Sequence, residues 1–534
     1  MVWTRKRRIA AWIGGSVLLF LVAAGVISYV IAKRTEPFLR DQTISYLKTK
    51  FNADVRLDAL KVRIPISSPL QLLMPGGKRI EAHVTGTGIE LKDKNFSGPS
   101  LVKMRRFTFR IALASLALRP IIVPEVNVEE FELNVPPKGE RPHTASEKPN
   151  PEEEKHEPSP EKPSVVVERV IADGMKLAML PKDPAKAPLR FHMKTLRLED
   201  AGPGIPMRYE TVMTNPKPPG LIRARGSFGP WVSDSPSESK VSGTYTFDNA
   251  DLSVFKGISG ILASTGKFEG TIDNITVDGE TRIPDFKLKR GGNAVPLTTT
   301  FHAIVDGRNG NTFLQPVEAT LAGTRFAVEG YIARFEGERG KTIDLKAVFK
   351  EGRIEDALRL AVPGDRPILR GPMSMKVDIT LPPGKGDVED RLLLNGTFAL
   401  TRAMFQSEAI QKRVDELSRR GQGEPESNEI RSVPCTLSGR FRMSGGKIHL
   451  SNMLFKVKGA DVDLAGDYDF GTGAMDFEGR LSMTATVSQT MGGWKRWALK
   501  PADPFFKKGG YGSVIPIKIT GTRNEPKFGA NFGK

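Results

Sequence analysis

Residues Asp461–Phe470 read DVDLAGDYDF, and this stretch decides the fold class. Every second position is apolar, aromatic or glycine, and the positions between them are aspartate or alanine. A period of two is that of a β-strand. A strand that alternates in this way belongs to a sheet with one face in water and one apolar face. We therefore interpret the acidic residues as a solvated strand face rather than a metal site.

The same alternation recurs along the chain. It is clear in Arg325–Ile332 and Lys447–Leu450, and a long series of strands is predicted from Ser164 onward. Nearer the start, strands are predicted at Ala53–Ile64, Ile80–Leu91, Leu101–Ala112 and Ile121–Val135. In the first of these the apolar phase changes at Ala59-Leu60, which predicts a β-bulge.

A glycine that precedes a small polar or aromatic step also recurs, including Gly270-Thr271-Ile272, Gly330-Tyr331-Ile332 and Gly479-Arg480-Leu481. Other examples are Gly243-Thr244-Tyr245, Gly266-Lys267-Phe268, Gly396-Thr397-Phe398 and Gly439-Arg440-Phe441. Their spacing is too irregular for a repeat of fixed period. Glycines inside strands often mark bulges and bends, so a sheet with many of them can curl. The alternative is a set of ordinary β-domains whose glycines lie at strand ends.

Few helices interrupt the strands. An amphipathic helix is predicted in Pro37–Phe51, either packed on the next domain or lying at a membrane. Further helices are predicted at Ile354–Val362, at Gln406–Arg420 with Gly421 as its stop, and at Trp494–Leu499. Residues 136–163 are rich in Pro, Glu and Lys and have almost no apolar side chains. Because they cannot bury enough surface to become ordered, we interpret them as a disordered linker.

Ile9–Ala32 contains 24 consecutive residues without a charge, and about 20 apolar residues suffice to span a bilayer. The basic cluster Arg5–Arg8 precedes it, which predicts a cytoplasmic tail at residues 1–8 and an external location for everything after the anchor. Trp12 and Tyr29 lie near its two ends, where aromatic rings favour the membrane interface. A cleaved signal peptide is one alternative, although its apolar core would be shorter. A buried helix of a soluble domain is the other.

Composition and motifs exclude several classes of function. The formal net charge is +18 and is spread along the chain, and a basic chain exported past a membrane is not expected to bind nucleic acid. The single cysteine, Cys435, excludes an intrachain disulfide and is expected to be buried. The histidines lack metal-ligand spacing, and phosphate-loop, dinucleotide and nucleophile-elbow motifs are absent. The sequence thus predicts no enzyme, no metal and no cofactor.

In its layout the chain resembles the AsmA-like family of bacterial envelope proteins. The resemblance begins with the anchor and the segment FLRDQTISYLKTKFNADVRLDALKV at residues 38–62. It continues through the glycine-containing strands of Gly243–Glu280, Val317–Ile332, Asn395–Arg420 and Leu437–Phe470. It ends with a tail that carries Pro516, Gly521 and Pro526. Each motif is a simple pattern, and their order along residues 1–135 and 240–534 carries the resemblance.

The resemblance implies a single-pass protein of the bacterial inner membrane, with a cytoplasmic N-terminus and a periplasmic bulk. Residues 33–135 would form an N-terminal helix and β-domain, and residues 164–534 a long, curled, open antiparallel sheet. Its apolar side would be a groove capped by short helices. Relatives are thought to bridge the inner and outer membranes and to help move phospholipid. The chain is therefore expected to bind and conduct phospholipid and to support outer-membrane biogenesis. The alternative is a scaffold or assembly factor for outer-membrane proteins or exported polymers.

Two sets of candidate site residues follow. The groove candidates lie on the apolar face of the predicted strands, and each either contacts lipid or only packs the core: Phe326, Val328, Phe398, Leu400, Phe441, Val462, Leu464, Tyr468 and Phe470. The membrane-interface candidates are aromatic: Trp12, Tyr29, Phe38, Trp494, Trp497, Phe505 and Phe506. The last four are flanked by Lys and Arg, which suits a contact with the outer membrane near the C-terminal end. A buried loop over the end of the sheet is the alternative for these four.

Overall fold

The structure is a computed structural model. It describes residues 40–41, 43–45, 47–48, 53–63, 81–93, 98–112, 120–135, 165–180, 188–202, 204–230, 232, 236–307, 309–335, 338, 340–364, 366–427, 432–469, 471–522 and 525–530. The predicted anchor, the predicted linker and the candidates Trp12, Tyr29, Phe38 and Phe470 lie outside the described residues. Among the helices that are described, none has the length and apolar character needed to cross a membrane.

The protein is mostly β, with 65% of the chain in strands. The strands before residue 310 are β1 (Ala53–Arg63), β2 (Glu81–Asp93), β3 (Val102–Ala112), β4 (Ile121–Val135), β5 (Val165–Met179), β6 (Leu189–Ala201), β7 (Met207–Pro216), β8 (Pro219–Phe228), β9 (Lys240–Asp251), β10 (Ile258–Ser259), β11 (Ile261–Thr271), β12 (Asn274–Leu288) and β13 (Val295–Asp306).

The remaining strands are β14 (Asn311–Leu321), β15 (Thr324–Ala333), β16 (Thr342–Arg353), β17 (Leu369–Arg370), β18 (Pro372–Leu381), β19 (Leu393–Phe405), β20 (Cys435–Ser444), β21 (Lys447–Val457), β22 (Ala460–Asp469), β23 (Ala474–Met483), β24 (Ser513–Thr522) and β25 (Pro526–Ala530). The α-helices are α1 (Ile354–Ala361), α2 (Val388–Arg391), α3 (Glu408–Gln422), α4 (Trp494–Leu499) and α5 (Asp503–Phe506). The prediction of a mostly β chain with a long open sheet and few short helices is confirmed.

The chain divides into two compact units. The first is formed by Met1–Ala250, Ala263–Gly279 and Val305–Gly310, and the second by Asp251–Leu262, Glu280–Ile304 and Asn311–Lys534. In the first unit, β1 to β4 and then β5 to β9 pair antiparallel in chain order. β4 and β5 pair in parallel, with Ile121 opposite Val165 and Val135 opposite Met179. The predicted linker therefore connects two neighbouring strands that run in the same direction.

The first unit has an enclosed apolar core. Val84, Ile111 and Val126, from three different strands, are each almost completely buried. Leu47, which is helical, belongs to the same cluster, and Ile44, which is also helical, packs against it. Of the two alternatives for the helix in Pro37–Phe51, these contacts favour packing on the β-domain.

β1 to β5 share one level at which the buried face of each strand changes. The buried positions change phase at the same level in every strand, and the residues at that level are Asp58, Gly88, Arg105, Glu130 and Gly174. In β1, for example, burial switches from Val55 and Leu57 to Leu60, yet the pairing with β2 has the same register before and after. The predicted one-residue bulge at Ala59-Leu60 is therefore wrong. The alternation of buried and exposed residues shifts at the same level in β1 and in β2. Neither strand therefore has the extra residue that a bulge requires.

In the second unit, β14 to β16 and β18 to β25 pair antiparallel in chain order, and β16 is joined to β18. One-residue bulges occur in β14 before Val317, in β16 before Gly352, in β19 before Ala403 and in β21 before Met453. Bulges bend a strand and increase its twist. Because they recur in strands across this unit, the sheet here is built to bend.

Candidate functional site

Four rows of apolar side chains cross the sheet of the second unit on one face. They are defined by direct pairing between neighbouring strands. Row A is Met373, Leu400, Leu437, Phe455, Val462, Leu481 and Ile515. Row B is Phe349, Met375, Phe398, Gly439 and, after the bulge of β21, Met453, Leu464, Gly479 and Ile517.

Row C is Val328, Ala347, Val377, Gly396, Phe441, Leu450, Gly466, Phe477 and Ile519. Row D is Gly330, Leu345, Ile379, Leu394, Met443, Ile448, Tyr468, Met475 and Gly521. With about 4.8 Å between strands, the nine residues of row C extend for roughly 40 Å. The four rows together form a continuous apolar face.

The groove candidates within the described residues all lie on this apolar face. Leu400 and Val462 are in row A, Phe398 and Leu464 in row B, Val328 and Phe441 in row C, and Tyr468 in row D. The ring of Phe326, from β15, stacks on Phe349 with 4.5 Å between the ring centroids. The position of Phe470 lies outside the described residues. Whether these side chains contact lipid stays a prediction.

Helices cover one side of the apolar face. Val414 and Leu417 of α3 pack with row A side chains, and Ile354 and Ala357 of α1 join the same cluster. Accordingly Leu400 is only 2% exposed. The side chains of row D, such as Leu345, Ile379 and Ile448, are half-buried. Within row A, Met373, Leu400 and Val462 are buried, whereas the other four side chains are half-buried, as are most side chains of row D.

Two buried carboxylates hold the covering helices in place. Asp415 of α3 accepts hydrogen bonds from Gln411 Nε2 and from the backbone N–H of Val433, both at 2.9 Å. Asp356 of α1 accepts from Thr324 Oγ1 at 2.9 Å and from the N–H of Gly323 at 3.1 Å. α3 ends at Gln422 and is capped by Gly423, which has a φ of +83°, so the predicted stop at Gly421 lies inside the helix. Gly421 instead allows a close approach to the carbonyl of Gly459.

The opposite face of the same strands is charged. The residues beside row C and row D on this side are Glu329, Lys346, Asp378, Asn395, Arg442, His449, Asp467, Asp476 and Thr520. Cross-strand pairs include His449 Nδ1 to Asp467 at 2.9 Å and Lys518 to Glu478 at 2.6 Å. The hydrogen bond from Lys518 to Glu478 raises the pKa of this lysine. Such exposed pairs contribute little stability, so their main effect is to keep this face in water.

A second candidate surface is the aromatic-basic loop, residues 494–508. Trp494, Trp497 and Phe505 are 75%, 73% and 88% exposed, and Phe506 is half-buried. Five exposed cations surround them: Lys495, Arg496, Lys500, Lys507 and Lys508. The ammonium of Lys500 lies 5.4 Å from the ring centroid of Trp497. Large rings displayed beside cations are typical of a surface that enters a lipid interface.

The aromatic-basic loop is fastened by its one carboxylate. Asp503 accepts hydrogen bonds from Ser488 Oγ at 2.6 Å and from the Ser488 N–H at 2.8 Å. Desolvation raises the pKa of Asp503, but the hydrogen bonds from Ser488 and Thr486 and the charge of Lys500 outweigh it and hold the pKa below its ordinary value. Glu426 adds a hydrogen bond from the N–H of Gly493 at 2.8 Å, just before the loop. The exposed rings therefore project from a fixed base.

Two other features bear on chemistry. Within the part of the chain that the structure describes, no three His, Cys, Asp or Glu side chains are grouped so that they could hold a metal ion. Cys435 is buried and donates to the carbonyl of Ala403 at 3.3 Å, and this burial raises the pKa of its thiol. A buried thiol of this kind is inert, so Cys435 acts as a small packing residue.

Comparisons with protein-family models, with curated proteins and with solved structures give no match. The two surfaces above must therefore be interpreted from their own chemistry.

Leu345, Ile379 and Leu394 of row D also lie on the apolar face but were not among the groove candidates predicted from the sequence. A signal was present, because TIDLKAVF at residues 342–349 and MKVDITL at residues 375–381 both alternate with a period of two. These residues line up with Tyr468 in a single row, and the pattern of one strand could not show this alignment.

Proposed function

We propose that this chain is a membrane-anchored protein of the AsmA-like kind, and that the apolar face of its second unit binds phospholipid acyl chains and conducts them along the sheet. The observation that carries the proposal is the run of rows B to D across neighbouring strands. An apolar sheet face must be covered, and large exposed apolar surfaces mark interaction sites. α1 and α3 cover row A, and the half-buried side chains of row D remain accessible to a ligand.

The geometry suits an acyl chain. A chain that lies along row C would run perpendicular to the strands and meet an apolar side chain or a glycine at each step of about 4.8 Å. The rings of Phe398 and Phe441 fill the space over Gly439 and Gly396, so the apolar floor is continuous there, and the charged face behind the sheet keeps the assembly in water. An acyl chain would move along the face in small steps, because each position offers a similar apolar contact. No single tight site would therefore trap the lipid.

The aromatic-basic loop would contact a membrane in this function. Its rings would enter the interface while its five cations pair with anionic headgroups. If the predicted anchor holds the protein in the inner membrane, the aromatic-basic loop is the proposed contact with the outer membrane. Contacts with both membranes would allow phospholipid to pass from one bilayer to the other.

Photo-crosslinking from the two faces of the sheet tests the lipid proposal. Benzoylphenylalanine replaces Phe398 on the apolar face in one variant and Glu478, an exposed residue on the charged face, in the other, and both are expressed in bacterial cells. Irradiation should attach phospholipid at position 398 and not at position 478, as detected by mass spectrometry of the purified protein. A second pair, Tyr468 and Asp467, guards against misfolding of one variant.

The two functions give different products in this experiment. Equal lipid attachment at positions 478 and 398 would contradict a specific apolar binding face. Capture of a protein or a polymer at position 398, with no lipid adduct, would favour the scaffold or assembly function instead.

A further inference from the structure

A depression of about 600 Å³ lies on the charged side of the sheet, behind the aromatic rings of rows B and C. Its walls come from β16, β18, β19, β20 and β21, all within the second unit. Lys346, Lys376, Arg440 and Arg442 line it, together with the single carboxylate Asp378. The residues lining the depression thus carry a clear excess of positive charge.

The basic residues of this depression are not neutralised. Among the described residues no salt bridge or side-chain hydrogen bond involves Lys376, Arg440 or Arg442. Other charges on the same face are paired, as in the contacts of Lys518 with Asp476 and Glu478. Lys376 and Arg440 lie on the two strands that flank β19, so their like charges face the same strand. Unpaired cations that line one depression indicate that a bound anion neutralises them.

The register defines the centre of the site. Thr397 lies opposite Lys376 on one side and opposite Arg440 on the other. Arg442 follows Arg440 on the same face of β20 and lies opposite Asn395. Gly396 and Phe441, whose side of the sheet is the apolar face, also contribute to the lining. An anion seated over Thr397 could therefore take two guanidinium groups, one ammonium and the neutral groups of Thr397 and Asn395.

We propose that this depression binds a phosphate group, with Lys376, Arg440 and Arg442 as its ligands and Thr397 and Asn395 as neutral partners. Two arginines offer forked donors that match phosphate oxygens, and the lysine adds a point charge. The phosphate is carried either by a phospholipid headgroup or by a soluble phosphorylated molecule. The proposal stands on the charged face and does not require that lipid be carried on the apolar face.

The test uses the full chain in nanodiscs of zwitterionic lipid and inorganic pyrophosphate as the probe. Calorimetry should show saturable binding to the unsubstituted chain. Removal of one charge-assisted hydrogen-bond donor weakens binding about tenfold. Arg440→Gln and Arg442→Gln should each reduce the affinity by about that factor, and the double variant by more. Arg480→Gln is the matched control, because Arg480 is an exposed arginine on the same face of β23 that does not line the depression.

The outcomes separate the two sources of phosphate. If acceptor vesicles of phosphatidylcholine with phosphatidic acid compete with pyrophosphate, and phosphatidylcholine vesicles do not, the site takes a lipid headgroup. If pyrophosphate binds and neither vesicle competes, the source is soluble. The proposal is overturned if pyrophosphate does not bind, or if Arg480→Gln weakens binding as much as Arg440→Gln, because net charge would then explain the effect. Circular dichroism of each variant verifies that the fold is retained.

Discussion

The ring of Phe398 lies against Gly439, its direct partner on the neighbouring strand. Gly396 and Phe441 make the same contact in reverse, and the two rings are 6.4 Å apart. Tyr245 and Phe268 in the first unit repeat this arrangement over Gly266 and Gly243, again with 6.4 Å between the rings. Each glycine leaves room for an aromatic ring from the next strand, which explains the spacing of glycine and aromatic residue in both segments.

Gly396→Ala should therefore destabilise the second unit. A Cβ at this position would lie 2.5 Å from the carbonyl oxygen of Lys376 and 2.7 Å from the Phe441 ring. Because backbone and ring cannot both move aside without strain, we expect a loss of about 1–3 kcal/mol. Thermal unfolding of the full chain in detergent, followed by circular dichroism, measures the change in Tm.

Gly386→Ala is the matched control for this substitution. A Cβ there would approach only the Arg391 side chain, at 4.0 Å. The expected change is within about 1 kcal/mol, because Ala also restricts the unfolded chain. A similar loss of Tm in both variants would mean that the aromatic contact is not the cause.

A buried and an exposed carboxylate on α3 should respond very differently to removal. Asp415→Ala leaves the N–H of Val433 and the amide of Gln411 without their acceptor, which costs about 1–3 kcal/mol. Glu416→Ala removes only an exposed pair with Arg420 and should cost no more than about 0.5 kcal/mol. Denaturant titration of both variants provides the comparison. Equal losses would show that α3 is not held by Asp415.

The exposed rings of the aromatic-basic loop should control contact with a second membrane. The chain is held in nanodiscs, so that any anchor is already occupied, and is mixed with acceptor vesicles that contain anionic lipid. Trp494→Ala and Trp497→Ala should each lower vesicle binding by about tenfold, because each ring loses the burial of a large apolar side chain. Co-sedimentation measures the bound fraction.

Phe313→Ala serves as the control for the loop, since Phe313 is also an exposed ring, at 42%, but lies on β14. Its vesicle binding should equal that of the unsubstituted chain. If Phe313→Ala weakens binding as much as Trp497→Ala, exposed rings in general and not the aromatic-basic loop would cause the attachment.

Acid should release the aromatic-basic loop. The pKa of Asp503 in the folded chain lies below its ordinary value of 3.8. A carboxyl group with a lowered pKa contributes stability that is present above its unfolded pKa and is lost as the pH falls through the folded pKa. Hydrogen exchange of residues 486–508, corrected for intrinsic rates, should therefore rise below about pH 4.

Asp503→Asn isolates this carboxyl group. The variant should exchange faster than the unsubstituted chain at neutral pH, and its exchange should show a much weaker dependence on acid. If both proteins give the same profile from pH 2 to 7, the hydrogen bonds of Ser488 do not fasten the loop.

The alternation of single strands was enough to predict the fold class and the apolar face. Asp461–Phe470 gave the two faces of β22 correctly over its described residues, because a half-solvated strand leaves a local pattern. The bulges could not be predicted in the same way. Interior glycines were expected to mark bulges. The extra residues of β19 and β21 instead include Arg402 and Asn452, and Gly396 and Gly439 accommodate rings. The residue that lies opposite a glycine depends on the register between two strands. The sequence of one strand does not determine that register.

The depression on the charged face was not predicted for the same reason. Lys376, Arg440 and Arg442 are far apart in sequence, and each belongs to an ordinary polar strand face. Only the order and register of β18, β19 and β20 bring them to Thr397. The aromatic-basic loop was found because its rings and cations are consecutive in the chain.

The parallel pairing of β4 and β5 sets a minimum length for the chain between them. β4 contains 15 residues, so its two ends are roughly 50 Å apart. To begin β5 beside the start of β4, the chain must return over that whole distance, which takes about 15 fully extended residues. The Pro- and Glu-rich segment is thus a connection whose length matters more than its composition. Scrambling it should be harmless, whereas cutting it below about 15 residues should prevent β5 from joining its neighbour.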